Sequence, residues 1–314
     1  MIREDSLFGP ATGDLHVVDD LLKKTAADDP PEVGQPMVDL LDAGGKRIRP
    51  ALVLLAAMCG TYDRERTIPA AMAVELTHAA TLVHDDVIDR SPTRRGRPTV
   101  AARLGDEPAI VIGDYYFARG YHHASQTGVP EAVDILARAV MEICAGEVRQ
   151  QAIRYRYSTT VDEYMRRIAS KTAALLSACC DIGALLGGVD ARRREALRDF
   201  GTSLGLAFQI ADDVLDYTAT EGEVGKPIGH DVLEGFATLP LMLSDVSLDD
   251  GRRLSESEAR DVVDGVRKGD ATRRALAQAR HHAEIAREKL SALDNTDAAT
   301  ALASLADYVV TRKL

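Results

Sequence analysis

The sequence predicts an all-α fold, a single bundle of about ten or more helices, on three observations. Nearly every long segment carries apolar residues at the 3.6-residue period of one helix face, and almost nothing alternates as a half-buried strand does. Ala and Leu, which lose little freedom in a helix, are abundant, whereas aromatic residues make up 4% of the chain and Trp is absent. Short Gly, Pro and Asp punctuation separates the apolar stretches, and neither a repeat nor a low-complexity linker divides them. Residues 1–314 therefore read as one domain.

In chain order, the period predicts helices over residues 15–27, 50–60, 68–90, 107–124, 130–156, 161–187, 191–217, 236–245, 255–267, 270–292 and 297–312. Those over 161–187 and 191–217 are apolar around much of their circumference (AALLSACCDIGALLGG, GTSLGLAFQIADDVLD), as helices buried centrally are. RREALRDF and RRALAQARHHAEIAREKL set mixed charges around an apolar stripe, the pattern of a helix with one solvated face.

With 46% apolar and 28% charged residues, the chain is too apolar for disorder and long enough to bury a large core. A net charge of −11 opposes binding to nucleic acid or to an anionic membrane surface. Cys59, Cys144, Cys179 and Cys180 lie in apolar stretches without CxxC spacing, so reduced core thiols are expected. The N-terminus, MIREDSLFGPATGD, lacks the apolar core of a secretory signal. Clean apolar runs such as residues 51–59 fall short of the roughly 20 residues that span a bilayer. A soluble, cytoplasmic protein with no transmembrane segment is expected.

Two segments place three carboxylates where a buried helix should have none: Asp85, Asp86 and Asp89 in LVHDDVIDR, and Asp212, Asp213 and Asp216 in FQIADDVLDY. Positions i and i+4 share a helix face, so Asp85 with Asp89, and Asp212 with Asp216, stand about 5–6 Å apart at Cβ and repel. A hard cation such as Mg²⁺ offsets that repulsion. One such run reads as well as a solvated acidic turn; two, each directly after a long apolar segment, point to metal. Because Mg²⁺ commonly bridges protein carboxylates to substrate phosphates, the two clusters predict a phosphate or diphosphate between them. Cations for it are present: Lys46, Arg47 and Arg49 in GGKRIRP, and Arg94, Arg95 and Arg97 in SPTRRGRPT.

Taken in order, GGKRIRP, ELTHAATLVHDDVIDRSPTRRGRPT, GDYYFARG, GEVRQQ, KTAALL, FQIADDVLDY and GKPIGHDVLEG followed by TLP resemble the motifs of the trans-isoprenyl diphosphate synthases, or polyprenyl synthetases, over about residues 40–245. The resemblance implies the isoprenoid synthase fold, a helical bundle around a central cavity. It implies Mg²⁺-dependent head-to-tail addition of isopentenyl diphosphate to an allylic diphosphate, with three Mg²⁺ sharing the charge of the departing diphosphate. It implies metal ligands among Asp85, Asp86, Asp89, Asp212, Asp213 and Asp216, with Asp85, Asp89 and Asp212 leading. Lys46, Arg49, His78 and Arg95 match positions that bind isopentenyl diphosphate, and Arg94, Lys171, Thr172, Gln209 and Lys226 match contacts to the allylic substrate. Lys171, Thr172 and Gln209 also belong to the catalytic set, whereas His84 reads as a core residue. Homodimers are the family's habit, and no nucleic-acid partner is implied.

Where the family commonly has Lys, EGFATLP has Phe236, which is expected to pack against a tail or to face a cation through its ring. Ala80 and Thr81, five and four residues before Asp85, sit one helical turn below the metal motif. Short-chain relatives block this level with an aromatic ring, so these small residues imply a product of six or more isoprene units, with the cavity floor at large side chains such as Met141. The alternatives are a farnesyl or geranylgeranyl diphosphate synthase, a class I terpene cyclase, and a non-catalytic subunit of a heteromeric synthase or the catalytic half of one. The second aspartate run, DDVLD, argues against the cyclase.

Overall fold

The structure, a computed structural model, describes residues 7–218 and 229–311. Its helices are α1 (Thr12–Asp28), α2 (Pro31–Asp42), α3 (Ile48–Met58), α4 (Arg64–Ile88), α5 (Val100–Leu104), α6 (Asp106–Gln126), α7 (Pro130–Ala152), α8 (Val161–Ile168), α9 (Ala174–Leu186), α10 (Ala191–Thr218), α11 (His230–Leu233), α12 (Leu239–Met242), α13 (Glu256–Lys268), α14 (Ala271–Lys289) and α15 (Asp297–Thr311). Among the described residues, β-structure is confined to a two-stranded antiparallel hairpin, β1 (Thr93–Arg94) with β2 (Arg97–Pro98). The all-α expectation holds.

The chain divides into two compact units: Met1–Val140, Ser177–Arg198 and Leu290–Ser304 form the first, and Met141–Leu176, Asp199–Lys289 and Leu305–Leu314 the second. In the first, α4 packs along α6 and against α3. Helix α3 buries nearly its whole circumference, Leu52, Val53, Leu54 and Leu55 included. Close approach to α3 is set by small residues: a Cβ on Gly183 or Gly187 would stand 2.3 Å from Val53 O or 2.4 Å from Ala57 O. Bulkier residues there would push the helices apart.

In the second unit, α13 buries Ala259, Val262, Val263 and Val266 at helical spacing on a cluster with Tyr217, Val232 and Leu241. A reciprocal cap starts this helix, the Ser255 hydroxyl accepting from Glu258 N while the Glu258 carboxylate accepts from Ser255 N. Helix α14 buries a stripe of Ala271, Ala275, Ala279, Ala283 and Ala286, leaving its charges outside as its pattern implied.

Three sequence expectations need correction. Helix α2 is not among the predicted elements although it carries Pro36 inside; Pro31 stands in the first turn, where its missing N–H costs nothing. Cys144 is exposed rather than a core thiol. Met141 is 70% exposed, so it forms no floor among the described residues. One described helical rod, Val161–Leu186, is long and apolar enough to cross a membrane (mean hydropathy 1.4), but 72% of that window is buried, as in a core helix of a folded protein.

Candidate active site

The first aspartate run closes α4. Asp89 N donates to Asp85 O at 2.8 Å, so the two residues keep helical geometry and share a face. Three carboxylates at a helix C-terminus meet the negative end of the helix dipole, an unfavourable placement unless cations offset it. Asp86, 3% exposed, is offset within the protein: Arg94 Nε lies 3.0 and 3.1 Å from its two oxygens, and Nη2 lies 2.9 Å from Oδ1. Asp85 and Asp89 are partly exposed.

Around this helix end the structure gathers cations in the first unit. Residues Arg95 and Gly96 both take positive φ (50° and 74°) between β1 and β2, the geometry of a type I′ turn. A non-Gly residue in this region is strained, and such strain concentrates at functional sites. A cleft of about 200 Å³ opens beside the Arg94–Asp86 pair, lined by Arg95, Arg97, Arg103, Leu40 and Leu82 among others. Lys46 is exposed and Arg49 half-buried, at the start of α3. Arg47, between them, is pinned at φ 48° by Asp19 (2.7 Å), Glu75 (3.0 Å) and Leu41 O (3.1 Å). These contacts make it a support for the GGKRIRP turn.

His78 belongs to this cluster. Burial, then the nearby guanidinium groups of Arg49, Arg95, Arg94 and Arg47, hold its imidazole well below the ordinary value of 6.5, so at neutral pH it is an uncharged hydrogen-bonding group among cations. Unfolding releases it to bind a proton, so the unfolded state binds more protons and stability falls as pH drops below about 6.5. His123 and His282 are shifted the same way by burial. His78→Asn is therefore expected to make the loss of urea resistance between pH 7.5 and 5.5 shallower without abolishing it; an unchanged slope would remove His78 from the cationic cluster. His84 Nε2 sits 3.0 Å from Ile110 O, between α4 and α6, consistent with a structural histidine.

The second unit holds the second group. Lys171 and Thr172 lie in a π-turn, Ala169–Ala173, joining α8 to α9. Such turns are rare and often mark functional sites. Room for it comes from Gly205 of α10, where a Cβ would stand 2.5 Å from Ala173 Cα. Lys171 Nζ contacts Glu147 Oε2 at 2.8 Å. Burial raises Glu147, but the Lys171 charge and the Lys171, Gln151 and Gln150 hydrogen bonds outweigh it, so the carboxyl lies below its usual range. Thr172 Oγ1 donates to Gln209 Oε1 at 2.6 Å.

The second aspartate run ends α10 as the first ends α4. Buried Asp213 accepts from Tyr164 Oη at 2.7 Å and Gln209 Nε2 at 2.8 Å. Asp216 accepts the backbone N–H groups of His230 and Asp231, one on each oxygen at 3.1 Å, anchoring α11. Burial, with Asp231 nearby, raises both carboxyls above their ordinary range. Among the described residues no cluster of three or more His, Cys, Asp or Glu is placed to hold a metal by itself. Asp86, Asp213 and Asp216 each accept hydrogen bonds from protein donors.

The buried ring of Phe236 lies under two protein guanidinium groups, Arg154 at 5.6 Å and Arg167 at 5.8 Å. Lys226 lies outside the described residues.

A sequence profile of the Polyprenyl synthetase family matches residues 30–261. The chain belongs to the polyprenyl synthetase family. It is 39% identical over 97% of each chain to heptaprenyl diphosphate synthase component 2 of Geobacillus stearothermophilus, and 36% identical over 94% of each to the geranylgeranyl diphosphate synthase of Methanosarcina mazei. Its fold matches a polyprenyl synthase from Caulobacter crescentus, solved with calcium and isoprenyl diphosphate, at a TM-score of 0.94 and 35% identity, over 99% and 98% of the two chains. This family member is a prenyltransferase, a polyprenyl diphosphate synthase.

Several supporting residues escaped the sequence reading. Glu147 lay inside the quoted GEVRQQ motif, and Tyr164 stands seven residues, two helical turns, before Lys171. That spacing was a usable signal. Glu75 and Asp19, the partners of Arg47, left none, because each lies 28 residues from it.

Proposed function

We propose that the chain joins isopentenyl diphosphate head-to-tail to an allylic diphosphate with Mg²⁺, building a product of six or more isoprene units, and that residues 1–314 act as one catalytic domain. The observation that carries this reading is the placement of two DDxxD runs at helix C-termini, where the peptide dipole disfavours them and a bound cation would offset the charge. The donor chemistry fits Mg²⁺: it is usually held by one or two carboxylates and completed by water and substrate phosphates. Asp85 with Asp89, and Asp212, would supply those carboxylates. Bound there, Mg²⁺ supplies electrostatic stabilisation of the departing diphosphate, with three ions the family's number.

The chain's own groups do the remaining work. Lys46, Arg49, His78 and Arg95 bind the diphosphate of isopentenyl diphosphate, His78 adding a hydrogen bond without charge. Arg94, held by Asp86, and Lys171, held by Glu147, are assigned to the allylic diphosphate, and so is Lys226 by its motif. The allylic C–O bond breaks with its electron pair leaving on diphosphate; the isopentenyl double bond attacks the resulting cation, and the proton lost from the adduct goes to the released diphosphate. Apolar side chains exclude water from the cation.

Chain length is set beside the first run. Ala80 is 0% exposed, and the Thr81 hydroxyl turns back to donate to His78 O at 2.7 Å. Neither puts a ring or a polar atom in the way of a prenyl tail. Incubating the purified chain with Mg²⁺, labelled isopentenyl diphosphate and an allylic primer tests the reading: linear products of six or more units are expected, and cyclic hydrocarbon or no product would overturn it. Ala80→Phe is expected to shorten the main product to about three or four units with activity retained, each unit spanning roughly one helical turn. Equal chain lengths for the two proteins, by chromatography of the dephosphorylated products, would remove Ala80 from length control.

We assign the active form to a homodimer, supported by exposed apolar Ile110 and Val111 on α6. Sedimentation of the chain alone checks it, since a monomer active only with a second protein would favour the heteromeric arrangement.

A further inference from the structure

Four side chains of the second unit form one unbranched chain of hydrogen bonds. Tyr164 Oη donates to Asp213 Oδ2 (2.7 Å), Gln209 Nε2 to Asp213 Oδ1 (2.8 Å), and Thr172 Oγ1 to Gln209 Oε1 (2.6 Å). Tyr164 and Asp213 are 1% and 3% exposed, so water offers no substitute partner at that end. Both Asp213 oxygens face donors, which fixes the Gln209 amide in one orientation, its NH₂ toward Asp213 and its carbonyl toward Thr172. The Thr172 proton is then committed to that carbonyl. What the Thr172–Gln209 pair has left to offer is mainly lone-pair oxygen.

We propose that Tyr164 is a positioning residue for the condensation: by holding Asp213, it keeps the oxygens of Thr172 and Gln209 available to the allylic cation. This rests on the reading that Thr172 and Gln209 contact the allylic substrate. The tyrosine ring is held independently of Asp213, because the Arg167 guanidinium lies 5.4 Å over it and donates to Ala237 O at 2.9 Å. Removing the hydroxyl leaves Asp213 Oδ2 buried without its donor. The carboxyl then competes for the second N–H of Gln209, rotating the amide and withdrawing its carbonyl from Thr172.

Tyr164→Phe, Thr172→Val and their combination test this in the full chain, by steady-state kinetics with Mg²⁺ and both diphosphates and by the side-chain amide resonance of Gln209 without substrate. Tyr164→Phe is expected to lower kcat about 10- to 100-fold, the usual effect of losing a supporting partner, and to shift the Gln209 resonance. The KM for isopentenyl diphosphate should stay within about twofold, since its contacts lie elsewhere. The double variant should lose no more than the worse single variant. Should Tyr164→Phe melt too low to assay, Asp213→Asn reads the same relay by turning an acceptor into a donor. Unchanged kcat, multiplicative losses or an unmoved Gln209 resonance in an active wild-type background would overturn the positioning role alone. A wild-type chain that forms no prenyl diphosphate would overturn it together with the synthase reading.

Discussion

Asp85→Ala and Asp212→Ala are each expected to reduce turnover by roughly 10³-fold or more, because each removes a carboxylate that would hold a cation against the charge of the departing diphosphate. Neither should unfold the protein. Both residues stand near helix C-termini, beside other carboxylates and facing the negative end of the dipole, so their removal relieves repulsion. Melting temperature should stay level or rise slightly while activity falls. Near-normal turnover at saturating Mg²⁺ would end the metal assignment. Asp213→Ala makes an instructive contrast, since it strips the acceptor from the buried Tyr164 hydroxyl and from the Gln209 amide and should cost stability as well.

Arg47→Met is expected to give the largest loss of stability, about 3 kcal/mol. The guanidinium bridges Asp19 and Glu75, and the Glu75 side chain is only 10% exposed, so the substitution leaves a carboxylate nearly buried and unpaired. The partial exposure of Asp19, 30% at its side chain, keeps the loss at the lower end of the range for buried pairs. Adding Glu75→Gln should restore more than half of it, because the uncompensated charge is then gone. Urea unfolding of the wild-type chain and the two variants decides it; a double variant as unstable as Arg47→Met would locate the cost in the strained backbone of the turn instead.

The fold class and the two groups of functional residues were legible because both are written locally. Helix α13 announces itself through Ser255 and Glu258 at its start and Val262, Val263 and Val266 at helical spacing, all within a dozen residues. Helix α2 was not legible, since Pro36 argues against a helix and only packing decides otherwise. The exposure of Met141 on α7 was equally hidden: an apolar side chain on a helix carries no mark of whether another element covers it.

By itself, the sequence determined most of the helices, the two aspartate runs and the basic clusters that accompany them, because helical period, like-charge spacing and turn chemistry act over a few residues. Tertiary structure alone decided which donors three of these aspartates meet. Asp86 meets Arg94 eight residues on, Asp216 meets backbone N–H groups 14 and 15 residues on, and Asp213 meets a tyrosine 49 residues back. A carboxylate's role depends on the donors within hydrogen-bond reach, and chain folding, not neighbouring sequence, brings those donors there.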